Sequence, residues 1–167
     1  MTEPAPAPVT EAGPAPASVT EAGPGSAAVT APDPAHEPMA GQMARWNSGP
    51  GGSALRAICA DLANVATLFR QAADPAADLP WPSLRDACCC LGADVSMAMT
   101  TPPMPDSQTQ SLWAEVLAAA QRAATDLRAG TELRSVALVY QGNFEIRAAA
   151  GHLAEMTRRI KAIPPSP

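Results

Sequence analysis

Residues 53–70, SALRAICADLANVATLFR, decide the fold class. Leu55, Ile58, Cys59, Leu62, Val65, Ala66 and Phe69 recur at spacings of three and four, which places them on one face of a helix. The turn cluster DPAADLPWP at 74–82 ends that run. Working downstream, the same periodicity returns three times. Ser83 and Asp86 beside Pro82 read as a capping box, and Leu84, Cys88, Leu91, Val95 and Met99 continue as a stripe up to TTPPMP at 100–105. Asp106 or Ser107 caps a third helix with Leu112, Val116, Ala119 or Ala120, Ala123 and Leu127 as its apolar face, and Gly130 is its expected terminator. Thr131 is the expected cap of a fourth helix. Its stripe Val136, Val139, Asn143, Ile146, Ala150, Leu153, Thr157 and Ile160 keeps close to a heptad and ends before Pro164 and Pro165.

Short connections favour antiparallel neighbours, so the expectation is an all-α, antiparallel up-down-up-down four-helix bundle over residues 53–161. The fourth helix, about 28 residues or roughly 42 Å, is longer than the first at about 20 residues or 30 Å. Gly142-Asn143 therefore marks a kink, or one end overhangs.

Upstream, the composition changes. PVTEAGPAPA from Pro8, SVTEAGPGSA from Ser18 and AVTAPDPAHE from Ala28 repeat with a period of ten. Dense proline removes backbone donors, and large apolar residues are too few to offset the entropy of ordering. Residues 1–52 are read as a disordered Pro/Ala/Gly-rich tail, and 162–167 as a disordered C-terminus.

Composition narrows the function classes. Of 167 residues with a net charge of -5, five acids (Glu3, Glu11, Glu21, Asp33, Glu37) fall in 1–52 against Arg45 alone, which leaves the remainder nearly neutral. A basic stripe that would grip nucleic acid is not visible. MTEPAPAPVT has neither a positive n-region nor an apolar h-region, and no run reaches 18 apolar residues, so the expectation is no membrane span and a cytoplasmic protein, with export by a signal-independent route left open. A core of about 110 residues needs no disulfide or metal staple.

Cys88, Cys89 and Cys90 raise the question of a metal or redox site. Consecutive helical residues point about 100° apart, so the three cannot converge on one ion. In an antiparallel hairpin Cys59 lies about eight residues out of level with Cys88, an offset of about 12 Å, beyond the roughly 7 Å that a disulfide spans. Cys59 and Cys88 are read as core residues, and Cys89 and Cys90 as flanking or outward thiols, the candidate reactive pair. His152 has Glu155 at i+3 but Ala149 at i-3, which breaks the Glu-x-x-His metal pattern, so it is read as a solvated His beside Glu155.

No Gly-rich loop follows a strand and no nucleophile sits beside a base, so neither an enzyme nor a cofactor is expected. Arg158, Arg159 and Lys161 suit the dipole at a helix end and could also grip the acidic tail or an acidic partner. Trp113 is read as core closure or a partner anchor, and Asn143, polar in an apolar stripe, as a residue that fixes register or partner choice.

SLWAEVLAAAQRAATDLRAG at 111–130, followed by AAAGHLAEMTRRI at 148–160, resembles the last two helices of small Ala- and Arg-rich helical proteins common in high-GC actinobacteria. The resemblance covers about 50 residues near the C-terminus and implies a helical fold and no activity. The reading that results is a non-enzymatic interaction module that binds another protein or itself. Trp113, Asn143, Arg158 and Arg159 are its candidate contacts. The alternative is a sensor that uses a small ligand in an inter-helix cavity, or the thiols of Cys89 and Cys90.

Overall fold

The computed structural model describes residues 37–72 and 79–163. Those residues are all-helical, with no strand among them. The helices are α1 (Met39–Ser48), α2 (Pro50–Gln71), α3 (Trp81–Ala98), α4 (Ser107–Leu133) and α5 (Val136–Ala162). Residues 1–36 of the tail expected over 1–52, residues 73–78 in the expected turn, and the last four residues lie outside the described segments.

Five helices stand where four were expected, because residues 39–48 are helical rather than tail. Met43 and Trp46, three apart, form the buried side of α1. Trp46 meets Trp113 edge-on, ring centroids 6.4 Å apart and planes at 81°, and its Nε1–H donates to the Pro102 carbonyl at 2.8 Å. The chain passes from α1 to α2 through an extended Gly49 and Pro50 at the first helical position. Two glycines make the reversal possible. A Cβ on Gly51 would lie 2.2 Å from Trp46 Cε2, and one on Gly52 1.8 Å from the Asn47 carbonyl oxygen. The α1–α2 corner thus needs backbone without side chains.

The other boundaries follow from where side chains bond. Pro80, not Ser83, occupies the N-cap of α3 and offers no side-chain cap. At α4, Asp106 behaves as its sequence suggests, with Oδ2 accepting from Thr109 N–H at 2.9 Å and from Thr109 Oγ1 at 2.5 Å. Gly130 does not end α4. It lies inside the helix, where a Cβ would come 2.7 Å from Val139 Cγ2, so its role is close approach of α5. Arg134 takes the left-handed turn instead, at φ 50° and ψ 37°, with its guanidinium 5.9 Å from the Trp81 ring centroid. Thr131 is buried in α4 and donates to the Arg128 carbonyl, and Ser135 caps α5 by accepting from Leu138 N–H at 3.4 Å.

Consecutive helices pack on one another, and α2 also touches α5. Along α4, Asp106, Glu115 and Arg122 pair with Arg159, His152 and Glu145 of α5. Positions rise on one helix as they fall on the other, so α4 and α5 are antiparallel. Both have 27 residues, and Gly142 is buried where a Cβ would lie 2.6 Å from Leu127 Cγ, so it serves close packing about two turns from the α4–α5 connection.

The core is aliphatic and small: Ile58, Leu62 and Val65 from α2, Leu84, Leu91 and Val95 from α3, then Val116, Ala119, Ala120, Ala123 and Leu127 from α4. On α5 the buried residues are Val139, Gly142, Ile146, Ala149 and Met156. Asn143, Ala150 and Thr157, expected in that stripe, lie to one side of it, because Gly142 and Ala149 let α4 press closest one residue earlier. Met99 at the end of α3 is exposed rather than core. The α2 and α3 chains bring Asp61 and Asp94 together. Desolvation first, then the hydrogen bond and charge of Asp94, push the Asp61 carboxyl up to about 6. Asp61 Oδ2 is buried without a hydrogen-bond partner. No helix among the described residues is long and apolar enough to cross a membrane.

Candidate functional site: the groove between α2 and α5

The first and last long helices, α2 and α5, meet less closely than any consecutive pair. Between them lies an open groove of about 560 Å³. Leu62, Ala66, Phe69, Ile146 and Leu153 make it apolar. Its openness follows from local sequence, since Ala63 and Ala66 on α2 and Ala150 on α5 stand where larger side chains would fill the gap. Asn143 lines it, as do Tyr140, Arg70 and Arg147. Tyr140 is 45% exposed, and Phe144, one turn further along α5, is 65% exposed, so the apolar surface continues past the groove.

The expected site residues do not assemble in one place. Trp113 is buried against Trp46 and presents no surface to a partner. Asn143 faces the groove, half-buried, rather than the core. Arg158 is exposed and pairs with Glu155. Arg159 reaches Asp106 through Nε at 2.7 Å and an η nitrogen at 3.2 Å. These bonds, with those from Thr109, hold the Asp106 carboxyl well below the usual carboxylate range. Arg159 thus ties the end of α5 to the cap of α4. His152 bonds Glu115 of α4 through Nδ1 at 2.9 Å, not Glu155 as the i+3 spacing suggested.

The cysteines divide as the helical geometry requires, with one exception. Cys88 is buried, its thiol donates to the Arg85 carbonyl, and desolvation, followed by the neighbouring Cys89, pushes it up to about 11. Cys89 and Cys90 are exposed. Cys59, expected in the core, is exposed and lines the groove, because the α2 face turned to α3 is centred on Ile58, Leu62 and Val65. Desolvation there raises its thiol above the ordinary value. All four are free thiols. Among the described residues, no three His, Cys, Asp or Glu side chains are grouped so as to hold a metal ion.

Sequence reasoning picked out Asn143 but missed Cys59, Arg70, Tyr140 and Arg147 as its companions. Tyr140, Phe144 and Arg147, at i, i+4 and i+7, were the available sign: two aromatics and a cation on one exposed face of a helix whose core face was already accounted for. No protein-family model matches this chain, and neither a curated protein nor a solved structure matches it.

Proposed function

We propose that this chain is a non-enzymatic protein-interaction module, in which α2–α5 form an up-down-up-down bundle and the seam between α2 and α5 receives a segment of another protein. The observation that carries this is the apolar, solvent-open groove with exposed Tyr140 and Phe144 beside it. Partner helices lie in grooves of this kind through apolar anchors spaced three and four residues apart. A groove that continues into exposed aromatics suits a polypeptide better than an enclosed small ligand, which ranks the sensor reading second. In that second reading Cys89 and Cys90 remain the candidate redox pair.

A photo-crosslinking amino acid placed at Ala150 in the groove, with Ala114 on the outer face of α4 as control, tests this in the protein's own cells. The groove position is expected to capture a defined polypeptide that the control position does not, and Ala66→Glu to abolish that capture by placing a charge in the apolar seat. Equal capture at both positions, or capture that survives Ala66→Glu, would refute the assignment.

A further inference from the structure

The arginines of the described surface differ in a way that bears on the partner. Arg45, Arg122, Arg128, Arg158 and Arg159 each meet a carboxylate: Glu37, Glu145, Glu132, Glu155 and Asp106. Arg56, Arg70, Arg85, Arg134 and Arg147 meet none among the described residues; Arg56 bonds the Asn47 carbonyl and Arg134 lies over Trp81, and of the five only Arg70 and Arg147 line the α2/α5 groove. Arg70 is held in place by its η nitrogen, which donates to Thr67 Oγ1 at 2.8 Å. In a chain with a net charge of -5, the groove is thus an apolar seat with two cations and no acid among its lining side chains.

From this charge pattern we infer that the occupant is an amphipathic helix of a separate protein, with acidic residues flanking its apolar stripe. This rests on the docking role assigned to the groove. The dimensions agree: Cys59 to Arg70 along α2 is about 17 Å, and Tyr140 to Leu153 along α5 about 20 Å, a slot for roughly three helical turns. Apolar side chains of the incoming helix at i, i+3, i+4 and i+7 meet Ala66, Phe69 and Leu153, over a floor of buried Leu62 and Ile146. Its Glu or Asp residues at the stripe edges pair with Arg70 and Arg147, and the planar guanidinium of each favours a carboxylate. A second copy of this chain is the poorer occupant, because a two-fold contact through this groove brings the same two arginines to both sides.

The test uses the full chain and two synthetic helical peptides of about 18 residues, long enough to form helix, with one leucine stripe flanked either by Glu or by Lys. Fluorescence anisotropy is expected to show the Glu peptide binding about tenfold or more tighter than the Lys peptide. Arg70→Glu/Arg147→Glu is expected to reverse that order, with Arg70→Ala/Arg147→Ala levelling it, both at unchanged helicity. Ala66→Glu is expected to weaken both peptides. If the Lys peptide binds equally well, or the double reversal leaves the order unchanged while Ala66→Glu still weakens binding, the acidic preference is wrong and the groove stands. If Ala66→Glu changes nothing, or neither peptide binds, the groove assignment falls with it. Size-exclusion chromatography that shows a dimer lost in Ala66→Glu would make a second copy the occupant and overturn the inference.

Discussion

Trp113→Ala is expected to lower the unfolding free energy by about 3–5 kcal/mol, the range for deleting a buried Trp side chain. Trp113 is only 2% exposed, its ring meets the edge of Trp46, and it lies between α1 and the body of α4. Chemical denaturation followed by far-UV circular dichroism gives the number. A loss below about 1 kcal/mol, the range of surface substitutions, would mean that Trp113 is not in the core and that the sequence reading of it as a partner anchor stands.

Gly51→Ala separates two opposing effects. Gly51 is helical, so alanine there should by propensity alone stabilise by about 0.5–1 kcal/mol. The structure demands the opposite sign. The added Cβ would lie 2.2 Å from Trp46 Cε2 and 2.5 Å from both Cζ2 and Nε1, a rigid ring held by the Pro102 carbonyl and by Trp113. Trp46 must leave its site, and with it α1. Re-exposing that ring costs about 2–3 kcal/mol. The expected result is destabilisation with a red shift of tryptophan emission and loss of the helicity of α1, while α2–α5 stay folded. A stabilised variant with unchanged emission would show that α1 does not pack on α2.

These two substitutions probe the part of the fold that was hardest to read. The four long helices were legible because each buries a stripe of Leu, Ile or Val at spacings of three and four, and that pattern needs no knowledge of partners. α1 was not, since its ten residues offer only Met43 and Trp46 to the core and are framed by Pro38, Gly49, Pro50, Gly51 and Gly52. Those residues look like a linker, yet the glycines are the space into which Trp46 packs. Gly130 misled for a related reason: a glycine late in a helix commonly ends it, whereas here it admits Val139. The site was half legible. Asn143 stood out as polar in an apolar repeat, but the heptad reading put it in the core, because Gly142 and Ala149 carry too little hydrophobicity to show which face approaches α4. Arg70 and Arg147 were invisible as a pair, since only the packing of α2 beside α5 brings residues 77 apart in sequence to one groove.

The central claim is that α2 and α5 leave an open seam, and the native thiols test it without any substitution. Maleimide labelling of the folded chain, read by peptide mass, is predicted to modify Cys59, Cys89 and Cys90 and to spare Cys88 until denaturant is added, with Cys59 slowed by the desolvation that raises its thiol. Cys59 as unreactive as Cys88 in the native chain would mean that the seam is closed, and the account of the groove would be contradicted.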